Sequence, residues 1–251
     1  MKNQGRVFIL ILIGALLFSN AAFAETLAPK DPKGSLISFL KKGNHSYRKL
    51  KDYKALFIKI EREEGVLGAE ERIYLKFEKP WKIFMKWMEG EKKGLEVAYE
   101  RGKHKNNLMI HKPGLLLGLG PSVVYLDQNS PWVRKGSASY DIEDAGIGTF
   151  LEDFTAAVAQ SSREKKLKVE CPSESFFDVT FLDSKDDDIY FAYRVKVLFD
   201  THSHLPVKME LFDWQNQPMG IYEYRELELN TGQNEAFKKE INRNLLKVYN
   251  S

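Results

Sequence analysis

A chain of 251 residues with 43% hydrophobic and 12% aromatic side chains has enough apolar material for a packed core, which excludes wholesale disorder. Its 38 basic and 35 acidic residues leave a net charge of only +3, without the clustered basic footprint that nucleic acid requires. The single cysteine, Cys171, excludes an internal disulfide and reads as a small buried core residue.

The N-terminus predicts a cleaved signal peptide over residues 1–24. Lys2 and Arg6 form its positive end, residues 7–18 its apolar core, and Ala22-Phe23-Ala24 its small-x-small cleavage site. The apolar run is short for a membrane span of about 20 residues. Residues 25–251 are therefore expected to be secreted as one domain. Loss of Lys2 and Arg6 leaves 36 basic against 35 acidic residues.

Residues 31–51 predict a helix, with Leu36, Ile37, Phe39 and Leu40 as its apolar stripe and Gly43-Asn44 as a potential break. A strand follows over 53–63, with Leu56, Ile58 and Ile60 on one face and Phe57, Lys59 and Glu61 on the other. Ile73, Leu75 and Phe77 then alternate with Arg72, Tyr74 and Lys76. Lys79-Pro80 leads into the stretch around which the rest is organised. There Trp81, Ile83, Met85 and Trp87 share a face opposite Lys82 and Lys86. Beyond a polar turn, Leu95, Val97 and Tyr99 oppose Glu96 and Glu100, and Leu108 and Ile110 come after a second turn. Period-two alternation with short polar turns predicts an antiparallel meander with one buried face.

Residues 113–125 differ, because Leu115, Leu116, Leu117, Leu119, Val123 and Val124 are interrupted by Gly114, Gly118, Gly120 and Pro121. That glycine density argues against a regular element, and so apolar a loop either plugs the core or forms a flap over a ligand cavity. Residues 141–160 predict a helix with Ile147, Phe150, Leu151, Phe154 and Val158 aligned. A charged connector over 161–168 precedes a second meander, with strands at 176–182, 190–199, 207–212 and 221–229. Residues 235–249 predict a closing helix through Phe237, Ile241, Leu245 and Val248.

Catalytic motifs are missing: there is no nucleophile elbow, Walker loop or dinucleotide fingerprint, and no spacing singles out Ser137 or Ser139. Asp141, Glu143, Gly146 and Glu152 fit four positions of an EF-hand count, but Ala145 occupies a fifth that needs oxygen. Acids at a helix start account for them better. His202-Ser203-His204 offers two metal ligands and would need a third from His45, His104 or His111, so a polar turn is the simpler reading. Asp186-Asp187-Asp188 reads as a hairpin turn. The chain is thus expected to be no enzyme and to hold no metal or cofactor. What remains is the apolar face of Trp81, Ile83, Met85, Trp87, Leu95, Val97 and Tyr99. Such a face either packs on the helices or forms the wall of an acyl-chain site.

The order of elements resembles the periplasmic lipoprotein-carrier (LolA-like) superfamily. Within it, Lys79-Pro80, Met85-Lys86-Trp87, Glu96-Val97, Gly102-Lys103, Gly136-Ser137, Asp141-Ile142, Gly146-Ile147 and Leu205-Pro206 resemble an exported bacterial family of unknown function. The resemblance implies an α+β fold, a half-open antiparallel β-barrel with helices forming a lid over its concave face. It further implies an apolar cavity that binds or carries lipid or lipoprotein acyl chains, the partner being a lipid or an acylated protein. The alternative on the same fold is an envelope-stress sensing or protein-interaction module without lipid, whose partner is an envelope membrane protein. Carriers of this type place an Arg before the Pro to latch the lid. Lys79 stands there and lacks the planar fork of donors, so its lid contact is a departure from the pattern.

Overall fold

The structure is a computed structural model, and it describes residues 29–112, 123–130, 142, 146–182 and 189–232. Within them lie two helices, α1 (Pro32–Lys49) and α2 (Ile147–Arg163). The N-terminal strands are β1 (Asp52–Glu63), β2 (Val66–Leu67), β3 (Glu71–Glu78), β4 (Lys82–Trp87), β5 (Glu96–Glu100), β6 (Leu108–His111) and β7 (Val124–Leu126). The C-terminal ones are β8 (Leu167–Ser173), β9 (Phe176–Phe181), β10 (Arg194–Phe199), β11 (Pro206–Phe212) and β12 (Pro218–Leu229). The predicted signal peptide, most of the Leu/Gly-rich loop, the acids at 141 and 143, Ser137, Ser139, Asp186–Asp188 and the closing helix lie outside the described residues.

All strands join one antiparallel sheet in the order β7-β6-β5-β4-β3-β1-β12-β11-β10-β9-β8, with β2 paired to β1. Each half is a meander, and β1 joins them by pairing with β3 on one side and β12 on the other. Among the described residues the end strands β7 and β8 are not paired with each other, so the sheet is open, with its helices on one face. This is the expected fold class.

Helix α1 starts where Asp31 Oδ1 accepts from Gly34 N at 2.9 Å and Pro32 presets the first turn; Arg48 and Lys49 favour its C-terminal end. Gly43-Asn44 does not break it. The absent side chain of Gly43 admits the carbonyl of His204, which would lie 2.5 Å from a Cβ there. Asn44 Nδ2 donates to Leu40 O and to Thr155 Oγ1 on α2, both at 2.9 Å. The apparent break is thus where α1 is held between the β10–β11 turn and α2.

Strand β1 has two candidate core faces by sequence, and the structure selects one of them. Tyr53, Ala55 and Phe57 point to the helix side, while Leu56 and Ile60 are half-buried on the other. A central strand is apolar on both faces, so alternation alone cannot choose between them. The aromatics decide: Tyr53 stacks on Phe77 at 5.0 Å and Phe57 lies 4.9 Å from Tyr224. Strands β7 and β8 are additions to the expected set. The first has only three residues, and the second mixes exposed Lys168 and Glu170 with a register shift between Glu170 and Ser173. The predicted strand from 190 becomes regular only at Arg194.

The helices sit over the C-terminal meander. Phe39 of α1 meets Phe177 at 5.4 Å and Phe199 at 5.5 Å, and Phe154 of α2 meets Phe181 at 6.3 Å. Beneath them Phe177, Val179, Phe181, Val195, Val197 and Phe199 are sealed from solvent. On the opposite face of the N-terminal meander, Phe84, Ala98 and Met109 form a second buried row across β4, β5 and β6.

Candidate functional site

Strands β3, β4 and β5 assemble the apolar wall by register. Ile83 stands between Phe77 and Tyr99, Met85 between Leu75 and Val97, and Trp87 beside Ile73. Trp87 N donates to Leu95 O at 2.9 Å, which brings Leu95 to the same border. Trp81, Ile83, Met85, Trp87, Leu95, Val97 and Tyr99 therefore share the helix-side face. Their burial is graded. Ile83 and Tyr99 are enclosed, Met85 and Val97 are each 7% exposed, and Trp81, Trp87 and Leu95 are half-buried.

At one end of this wall the helices close down. Lys79 Nζ donates to the carbonyl of Tyr47 and, at 3.4 Å, to that of Arg48, both in the last turn of α1. The ammonium also lies 4.1 Å from the centre of the Tyr47 ring. The Tyr47 carbonyl also accepts from Leu50 N at 3.1 Å, and the negative end of the helix dipole and the ring face suit a cation there. Burial pushes the Lys79 pKa below its usual value. The Tyr47 ring fills the space of Gly148, where a Cβ would come within 2.1 Å of it. Burial, and then Glu152, push the Tyr47 phenol up to about 12. Tyr53 Oη accepts from Ile147 N at 3.3 Å, and Gly146 rests against Trp81. Trp81 in turn meets Phe77 edge-on at 5.1 Å and carries the Arg101 guanidinium over its ring at 5.1 Å. The end of α1, the start of α2 and the end of β3 thus meet at Lys79 and Tyr47.

The other end of the wall is polar. Lys59 Nζ lies 2.9 Å from Glu61 Oε2 and 3.4 Å from Glu71 Oε2. Glu71 also accepts from Trp87 Nε1 at 3.0 Å and from Lys92 Nζ at 2.5 Å, and Tyr222 Oη donates to Glu61 at 3.1 Å. Burial lowers the affinity of Lys59 for its proton, but Glu61 and Glu71 outweigh this and hold its pKa above the usual value. For Glu71, burial is outweighed by Lys59, Lys92 and Trp87, so its pKa is lowered. The alternation places Lys59 and Glu61 with Phe57 but does not say which face is the inner one. Had the aromatics chosen the face, two charged residues at inward positions would have marked this cluster.

The remaining candidates do not converge. Asp200 Oδ1 accepts from His202 N, Ser203 N and Ser203 Oγ, which makes 200–204 a capped turn. Its last residue, His204, packs its ring 5.2 Å from Phe39. Among the described residues, no three His, Cys, Asp or Glu side chains gather as a metal site requires. Cys171 is buried, donates to Ser173 O at 2.9 Å, and has its thiol pKa raised by burial. Among the described residues no helix is long and apolar enough to cross a membrane.

The family described as "Protein of unknown function (DUF1571)" has a model that matches residues 50–243. No curated protein matches the chain. Among solved structures it is similar to a LolA superfamily protein from Nitrosomonas europaea, at 8% identity over 80% of this chain and 95% of that one, TM-score 0.37. It is similar to the Mycobacterium tuberculosis lipoprotein LppX, at 10% identity over 80% and 98%, TM-score 0.41. It is also similar to a chain of the Pseudomonas aeruginosa MucA/MucB complex, at 12% identity over 83% and 61%, TM-score 0.42. Likenesses of this size carry no argument about function.

Proposed function

The chain belongs to this family, whose description names no activity, and we propose that it binds or carries lipid or lipoprotein acyl chains in the periplasm. One observation supports this reading above the others: the sheet face is covered unequally. Under α1 and α2, Phe177, Phe181, Val197 and Phe199 of the C-terminal meander are sealed, whereas Trp81, Trp87 and Leu95 of the N-terminal meander are large, apolar and half-buried. An acyl chain laid along Met85 and Val97 between the two tryptophans would gain about 0.8 kcal/mol for each methylene buried. Lys79 then acts as the lid contact, holding α1 against the strand end by a point charge rather than a fork of donors.

Native mass spectrometry of the purified protein before and after organic extraction tests this reading, together with uptake of a fluorescent fatty acid. Co-purified lipid and saturable uptake are expected. A protein that carries no lipid and takes up no fatty acid would overturn the proposal.

The complete enclosure of Ile83 and Tyr99 favours a second reading, an envelope-stress sensing or interaction module that fills its own interior. In that case a membrane-protein partner survives Trp87→Asp in a pull-down. Under the first reading that substitution abolishes lipid uptake.

A further inference from the structure

The two ends of the apolar wall differ in a way that orients a ligand. At the Trp81 end, α1 and α2 meet over the sheet through Lys79, Tyr47, Gly146 and Ile147. At the Trp87 end stands a cluster of two lysines and two glutamates, whose outermost member, Lys92, keeps 32% of its side chain exposed. Ion pairs buried beside apolar side chains add little stability compared with a well-packed hydrophobic replacement. A fully paired, net-neutral cluster therefore calls for another account, and polarity supplies one. An amphiphile leaves its methylenes in the apolar section and keeps its polar head where hydrogen-bonding groups replace water.

We infer that the Lys59–Glu61–Glu71–Lys92 cluster receives the zwitterionic head of an amphiphile whose acyl chain runs along β4 toward Trp81. This rests on the lipid-binding reading above and adds the direction of the ligand and the chemistry of its head. The cluster offers both signs at once, ammonium groups for a phosphate and carboxylates for an ammonium, with Trp87 and Tyr222 fixing the carboxylates. A head carrying both charges can replace each internal ion pair it opens with one to the ligand, whereas a head of a single charge would open those pairs and leave one sign unmatched. Trp81 and Trp87 lie six residues apart along an extended chain, roughly 20 Å at about 3.3 Å per residue, a length comparable with an acyl chain. They are the natural reporters of its two ends.

The test uses the full-length protein carrying fluorotryptophan, with the four fluorine resonances assigned by single Trp→Phe variants. Two probes are added in turn, a lysophosphatidylcholine with a nitroxide on its head and the same lipid with a nitroxide at the acyl terminus. Binding of each is confirmed independently by native mass spectrometry. The head label is expected to broaden the Trp87 resonance several-fold more than that of Trp81, and the chain-end label to reverse that ratio. Bound lipid with the opposite ratio, with equal broadening, or with neither resonance affected overturns the orientation while leaving lipid binding intact. If neither probe binds, lipid binding and the orientation fall together. Glu71→Gln with Lys92→Ala adds a second measurement. It is expected to weaken the zwitterionic probe several-fold more than an uncharged fatty alcohol of equal chain length; equal weakening of both would also overturn the inference.

Discussion

The two meanders are built alike, yet their helix-side faces differ at the two ends of the first. In the C-terminal half, Phe177, Phe181 and Phe199 are sealed under Phe39 and Phe154. In the N-terminal half, the larger Trp81 and Trp87 stay half-buried, and charged groups share the face with them. The difference originates in what holds the helices. Gly43 against His204, Asn44 between Leu40 and Thr155, and the Phe39 ring on His204 all fix α1 over the second meander. The last turn of α1, through Tyr47 and Lys79, and the start of α2, through Gly146 and Ile147, reach back to the first. One half supplies rigidity and the other supplies surface.

The sharpest way to break this contrast is Phe39→Ala. It removes the ring that seals the second meander and is expected to cost about 3–5 kcal/mol in denaturant unfolding. Gly148→Ala attacks the one junction shared by both halves. A methyl group there displaces the Tyr47 ring, so a loss of about 1–3 kcal/mol is expected, with faster amide exchange in the last turn of α1. Trp87→Ala is expected to cost only about 1–2 kcal/mol, because its ring is half-buried, while removing lipid uptake. If Trp87→Ala destabilised the fold as strongly as Phe39→Ala, the proposed division between the halves would not stand.

The smallest effect concerns pH. The folded pKa of Glu71 lies below its usual 4.5, so its contribution is present above that value and is lost as pH falls through the folded pKa. The folded pKa of Lys59 lies above 10.5, so its contribution is present below that value and is lost as pH rises through the folded pKa. Thermal midpoints measured across pH should therefore decline at both extremes. Glu71→Gln should flatten the acid limb, and an unchanged acid limb would refute the assignment.

Much of the framework could be read from the sequence because one face of β3, β4 and β5 is apolar at period two and their turns are polar. The positions of Trp81 through Tyr99 on one face followed from that alone, although Phe84, Ala98 and Met109 bury the second face as well, against the expectation of a single buried one. Strand β1 could not be placed in the same way, since Leu56, Ile58 and Phe57 make both of its faces apolar; only pairing with Phe77 and Tyr224 settles the matter. The polar end of the wall stayed hidden for the same reason. Lys59, Glu61 and Glu71 come from strands whose inward face must be known before their meeting can be foreseen. Strand β8 was obscured by its own edge position, where Lys168 and Glu170 replace the apolar alternation of an inner strand.

Pairing of β1 with β12 has a consequence for biogenesis. Tyr53 lies across from Leu229, and Asp52 Oδ1 accepts from Thr231 N and Thr231 Oγ1, each at 2.7 Å. The first strand thus waits for the last one, and its contacts span most of the polypeptide, a topology that folds slowly. During synthesis the nascent first meander carries a bare edge along β1, open to pairing with neighbouring chains. Folding is completed only when the final strand arrives to occupy it.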